Sequence, residues 1–190
     1  MAQLATLGQI VAYMDSTGGA VAVPNQAQSA PSSAELGRFA LELVDAPALG
    51  LSQPGLHHTI HVTAHDRFGP ALVAALQDRG LNAVYGDVPD DAKAVITLAG
   101  LADEVTPEVG RTVARDAFAL ANRVGQSVSD GGLFVTVQDT GGDFGLSGSD
   151  RCWVGHLPGL TKTAAQEWLS ASTKAIDIAV DGRTPEQVAE

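Results

Sequence analysis

The chain has 190 residues, 45% of them hydrophobic and 17% charged, which supplies one ordinary domain with a sizeable core and excludes disorder throughout. Its 11 Lys and Arg stand against 22 Asp and Glu, a formal net charge of -11, and that balance excludes a surface that tracks nucleic-acid phosphates. The 21 glycines and the 5% aromatic content fit a tightly turned α/β protein and exclude no enzyme class.

At the start of the chain, Leu4, Leu7, Val11 and Met14 fall on one helical face, so residues 1–14 read as a short amphipathic helix standing apart from the rest. There is no basic n-region with a continuous apolar stretch behind it. No apolar run anywhere approaches the ~20 residues that span a bilayer, so no membrane association is expected. Residues 15–35, rich in Gly, Ala, Pro, Ser and Gln, have the composition of a flexible linker. A single cysteine, Cys152, permits no internal disulfide and no thiolate pair for a metal, which points to a reducing, cytoplasmic setting.

Folded order is expected over residues 36–182. It begins at GRFALELVD, where Phe39, Leu41 and Leu43 alternate with Arg38, Ala40 and Glu42 in the period of a strand with one wet face. Pro47, Gly50, Pro54 and Gly55 then punctuate a loop. The strand HTIHVTA, a helix from Pro70 to Arg79, the strands LNAVYGD and AKAVITLAG, and a helix from Pro107 to Val124 follow. LFVTVQD reads as a buried strand ending in the turn residues Asp139, Gly141 and Gly142. Leu157, Leu160, Ala164, Ala165 and Trp168 mark a helix to Leu169, and KAIDIAV is the last strand. No internal repeat is visible. Strands alternating with helices predict a truncated, doubly wound, Rossmann-like three-layer α/β sandwich with a mostly parallel sheet.

Residues 183–190 carry a helix start. Thr184 reads as the N-cap, Pro185 as the first helical residue and Gln187 as the partner completing a capping box. With almost no helix after it, the expectation is that the chain ends inside a longer polypeptide.

Taken together these segments resemble part of a multidomain synthase. QLATLGQIVAYM resembles the last helix of an acyl carrier protein domain. RFALELVDAPALGLSQPGL, the β-α-β unit from Thr59, GGLFVTVQDTGGDFG, GLTKTAAQEW and KAIDIA resemble the ketoreductase region of a type I polyketide synthase or polyunsaturated fatty acid synthase, over roughly residues 36–182. Such regions hold two short-chain-dehydrogenase-like halves: a structural one without cofactor, and a catalytic one that binds NADPH and reduces a β-ketoacyl thioester. The resemblance implies as partners the catalytic half, other synthase domains and the acyl carrier protein. Apolar helices left without that partner would favour self-association into a homo-oligomer.

The motifs decide between the halves. A dinucleotide turn needs glycines where the backbone meets the pyrophosphate. Here the turn is TAHDRFGPALVAAL, in which only Gly69 remains while His65, Asp66 and Arg67 add bulk and a carboxylate. The family's catalytic Tyr and the Lys four residues later fall, aligned on Gly159, at Asp150 and Val154, neither of which does that acid chemistry. The expectation is a structural half with no catalytic, cofactor-binding or metal residues, NADPH belonging to the adjoining half. Two alternatives stand beside it: a self-sufficient NADPH-dependent reductase using Lys162 or His156 for proton transfer, and a protein interaction module.

The remaining candidates weigh little. His57, His58, His61 and His65 are not expected to converge on a metal, because they straddle a strand. His156 is expected to touch the helix beside it or water. Asp143, Phe144 and Gly145 repeat a kinase tripeptide without the rest of a kinase, and Gly141, Gly142, Gly145 and Gly148 lack the Lys-Ser or Lys-Thr of a P-loop, so they read as a turned rim. Ser147, Ser149, Asp150 and His156 lack a nucleophile elbow. Lys162 and Glu167 read as a surface charge pair, and Cys152 as a small packed residue.

Overall fold

A computed structural model describes residues 41–45, 53 and 55–190 of the chain. The amphipathic N-terminal helix and the linker expected over 1–35 lie outside these residues. Leu41–Glu190 forms one compact unit.

Its elements alternate as expected: β1 (Ile60–Thr63), α1 (Gly69–Asp78), β2 (Ala83–Tyr85), β3 (Ala94–Gly100), α2 (Pro107–Val128), β4 (Leu133–Gln138), α3 (Leu157–Glu167), β5 (Ser172–Asp177) and α4 (Pro185–Ala189). A one-turn 3-10 segment, Cys152–Val154, precedes α3. The five strands form one sheet in the order β2-β1-β3-β4-β5. Every pairing is parallel, with Ile60 beside Ala83 and Ala94, Ala94 beside Leu133, and Leu133 beside Ser172. This order is that of a Rossmann sheet whose outermost strand is left out, and the link from β2 to β3 carries no helix.

Period-two alternation sends the two sides of each strand to different layers. Ile60, Val62, Ile96, Leu98, Val135 and Val137 face α1 and α4, packing on Leu72, Leu76 and Val188. Val95 and Phe134 face α2 and α3, meeting Leu120, Val124, Val128 and Trp168. With both faces of a parallel sheet buried, the strands read as continuous apolar runs; all six residues of β4 are buried. Phe134 meets Trp168 edge to face at 5.6 Å, a geometry worth about 0.5–1.5 kcal/mol beyond the area buried. On the same side Thr136 and Thr161 share a buried hydroxyl hydrogen bond of 2.8 Å, and Thr161 also donates to the Leu157 carbonyl one turn back.

Several boundaries differ from the sequence reading; β5, for one, spans Ser172–Asp177 where residues 174–180 are expected. α2 runs one turn past Val124, because Val128 continues the buried stripe at four-residue spacing and only Ser129 and the left-handed Gly131 end it. Of the strand expected at the head of the domain, Arg38 to Ala40 lie outside the described residues; Leu41–Asp45 have no strand partner among the described residues, and Leu41, Leu43 and Val44 are 80%, 64% and 80% exposed. Alternation alone proposes a strand; a neighbouring edge must complete its hydrogen bonds. The capping box at the other end is realised, with Thr184 Oγ1 accepting from the Gln187 N–H and the Gln187 side chain accepting from the Thr184 N–H.

Candidate functional site: the filled crevice at the switch point

From β1 the chain steps outward to β2 and then returns across β1 to β3, so the strand order reverses between β1 and β3. Open α/β sheets bind ligands just beyond the carboxyl ends of strands at this place. The sequence expectation of a degenerate turn falls here, on Thr63 to Gly69.

The turn is braced from two sides. Ala64 leaves β1 with a φ of 81°, a left-handed conformation that costs a residue with a Cβ roughly 1–2 kcal/mol and that a dinucleotide turn gives to glycine. The Gly69 N–H donates to the His65 carbonyl at 2.8 Å, closing the first turn onto α1. The Tyr85 ring, arriving from the end of β2, lies flat against Gly69, so that a Cβ on Gly69 would overlap it. Its hydroxyl donates to Asp66 Oδ1 at 2.6 Å, and the hydrogen bond to the carboxylate, followed by burial, pushes the phenol above its ordinary range. Arg67 stands over the Phe68 ring at 4.8 Å and reaches Asp103, in the loop after β3, at 3.5 Å. The pyrophosphate of a dinucleotide would have to enter where an anionic carboxylate and a phenol ring already sit. These residues do not fit that group in its usual pose.

The second half of the crevice, above β3 and β4, is closed by Arg151. Its guanidinium donates to the carbonyls of Asp139 at 3.1 Å, Ala102 at 2.6 Å and Asp103 at 3.4 Å, and pairs with the Asp139 carboxylate at 3.4 Å. One planar cation thus satisfies the chain ends leaving two adjacent strands, in the fork geometry only arginine offers. Beneath it β3 carries an extra residue relative to β4 between Thr97 and Gly100, and Gly100 lies so close to Gln138 that a Cβ there would stand 2.5 Å from that side chain. Gln138 is buried, and its amide has no hydrogen-bond partner among the described residues.

The glycine-rich loop between β4 and the 3-10 turn is tightly built. Gly141, Gly142, Gly145 and Gly148 all have positive φ. The Asp177 carboxylate, at the end of β5, accepts from the Thr140 N–H, the Thr140 hydroxyl and the Phe144 N–H, each at 2.8 Å. Asp143 caps the next turn by accepting from the Ser147 N–H at 2.9 Å, and these bonds hold its carboxyl below the usual range. The kinase-like tripeptide is therefore a turn.

The other sequence candidates disperse. Asp150 is exposed ahead of the 3-10 turn and Val154 is fully buried beneath it. Ser147 and Ser149 engage their own loop, Ser149 Oγ accepting from the Arg151 N–H. His156 turns Nδ1 to the Trp153 carbonyl at 3.0 Å. His57 and His58 meet as tilted rings 3.9 Å apart, while His65 packs in the same tilted way on Phe68 at 4.8 Å. Among the described residues no group of three or more His, Cys, Asp or Glu is placed to hold a metal.

Two expectations are corrected. Cys152 is exposed, because it opens the 3-10 turn and leaves the buried position to Val154. Lys162 and Glu167 form no ion pair: five-residue spacing carries them off a common helix face, where three or four would have joined them. Two residues that close the crevice escaped the sequence reading. Tyr85 lies within the run LNAVYGD, which reads only as a strand, and no motif singles out Arg151.

Behind the crevice a recess of about 190 Å³ lies between β1, β3 and α2, lined by Thr63, Thr97, Asp116 and Arg123. It falls below the about 300–1,000 Å³ of usual small-molecule pockets, and Arg123 is turned to the Val88 carbonyl and to Asp90. No helix among the described residues is long and apolar enough to cross a membrane. Fold and crevice together define a class: an α/β protein with an all-parallel, helix-flanked sheet whose switch point is filled by its own side chains. No known protein family, no curated protein and no solved structure matches the chain.

Proposed function

We propose that this chain is the non-catalytic structural half of a β-ketoacyl reductase region in a multidomain polyketide or fatty acid synthase, and that it steadies the adjoining NADPH-binding half. The observation that carries the reading is the crevice: Tyr85 and Asp66 fill the dinucleotide turn, and Arg151 fills the space above β3 and β4. A frame of this kind with its ligand space given over to internal bracing suits support.

The surface available for that work lies on α2 and α3. Phe118 projects from α2 59% exposed, beside a recess of about 290 Å³ floored by Ala121, Gly125, Ala164 and Trp168. Burying apolar surface of this kind against a neighbouring domain restrains the loops on both sides. The acyl carrier protein and the other synthase domains are the further partners this reading implies, and the reaction and NADPH belong to the other half.

NADPH titration of the chain, followed by nucleotide fluorescence, is the direct test. The expected outcome is no saturable binding at micromolar concentrations, with the chain raising the thermal midpoint of a ketoreductase catalytic half when the two are mixed. Saturable micromolar NADPH binding, or turnover of a β-ketoacyl thioester by the chain alone, would overturn the reading and favour a self-sufficient reductase.

A further inference from the structure

Among the described residues the sheet face toward α1 and α4 is buried over β3 and β4, where Ile96, Leu98, Val135 and Val137 are at most 9% exposed, and thinly covered at β5, where Ile176 is 42% exposed. α1 spans β1 and β2, and α4 is a helix of five residues, so a groove of about 420 Å³ opens over β3, β4 and β5. That volume falls within the range of small-molecule sites. Its floor is Ile96, Leu98, Val135, Val137, Ile176 and Ile178, and Leu72, Leu76 and Val188 stand on its walls. Ile176, the fifth of the six residues of β5, lies beside Val137 in line with the core.

The groove has a direction. Its polar lining side chains are Gln53, Lys174 and Glu190. The Ser172 hydroxyl, on the first residue of β5, donates to Gln53 Oε1 at 3.2 Å, and Lys174 lies two residues along on the same face of the strand. A neutral amide and a cation therefore gather at the amino end of β5, while the carboxyl end is closed by Phe68, Leu98, Leu101 and Ile178. Lys174 makes no ion pair among the described residues, the Glu190 carboxylate included. An apolar trough with an unpaired ammonium on its β5 side, set apart from the Glu190 carboxylate that follows α4, is complementary at that end to an amphiphile with an anionic head and a hydrocarbon tail.

We infer that this groove is a binding site for a medium-chain aliphatic carboxylate, whose tail lies over β3 and β4 and whose head pairs with Lys174, with Gln53 Nε2 as a second donor. The site is separate from the crevice. It does not rest on the synthase reading, because it uses only the thinly covered part of the sheet face and the charge at its end. A chain that neither supports a reductase nor binds NADPH would still carry it.

Calorimetric titration of the full chain with octanoate, decanoate and dodecanoate, each below its micellar concentration, and with the matching alcohols tests the assignment. The expected result is one saturable site whose affinity rises about fourfold per added methylene until the groove is filled. Each carboxylate should bind at least tenfold more tightly than its alcohol. Lys174→Met, which keeps the aliphatic stem, should remove the difference between acid and alcohol while leaving alcohol binding intact. Ile176→Trp, at a half-exposed position, should fill the trough and weaken both. The inference is overturned if no carboxylate binds saturably, as expected of a face reserved for a protein partner. Equal binding of acids and alcohols, unchanged in Lys174→Met, overturns it as well.

Discussion

Tyr85 Oη and Asp66 Oδ1, 19 residues apart in sequence, meet at 2.6 Å and join the end of β2 to the turn after β1. In an open α/β sheet this is where a cofactor's phosphates meet backbone, and here the protein has placed an anion and an aromatic ring.

That pair sets a pH dependence. The phenol stays protonated above its ordinary range because ionising it would break a hydrogen bond to a carboxylate and set two anions together. A folded-state value raised above the unfolded one contributes stability that is complete below the unfolded value, near 10, and is lost as pH rises through the folded value. In a Tyr13→Phe background, which leaves Tyr85 as the only phenol, ultraviolet phenolate absorbance should titrate late. Asp66→Asn should bring it back toward the ordinary value, and an unmoved titration would dismiss the coupling.

Arg151 should behave as a structural cation. Arg151→Ala leaves the carbonyls of Ala102 and Asp139 and the Asp139 carboxylate without their partner. The expected loss is about 1.5–3 kcal/mol in urea denaturation, with faster proteolysis between β4 and α3. Arg151→Lys should recover only part of it, since a point charge cannot serve three carbonyls in one plane. Full recovery would show that charge alone matters.

Gln138 makes the opposite prediction. Its amide is buried at the end of β4 without a partner among the described residues, and leaving such a group unbonded costs about 1–3 kcal/mol. Gln138→Met keeps the length and removes the polar atoms, so the unfolding free energy from urea denaturation should rise by an amount in that range. A fall would mean that the amide is satisfied in solution.

Gly110 tests the docking of α2 on the 3-10 turn. In the interior of an exposed helix alanine would gain about 1 kcal/mol over glycine. A Cβ at Gly110, however, would stand 2.5 Å from the Trp153 carbonyl oxygen. Gly110→Ala should therefore destabilise by roughly 1–3 kcal/mol, the cost of overpacking against a rigid backbone. Stabilisation would show that the turn yields.

The α/β class, the order of elements and the parallel sheet were legible because β3 and β4 are buried on both faces and so appear as unbroken apolar runs, and because Pro107 and the pair Thr184 with Gln187 mark helix starts by local chemistry. The missing glycines of the turn at His65, Asp66 and Arg67 were legible for the same reason: a local motif fails locally. Leu41–Asp45 shows the limit, since alternation cannot supply the neighbour a strand needs. What filled the crevice was decided by tertiary structure alone. Tyr85 reaches Asp66 from another strand and Arg151 reaches Ala102 across 49 residues, and no spacing rule connects such positions before the strands are laid side by side. The groove beside Lys174 belongs to the same category, because a thinly covered edge of the face exists only once the lengths of α1 and α4 are set against the width of the sheet.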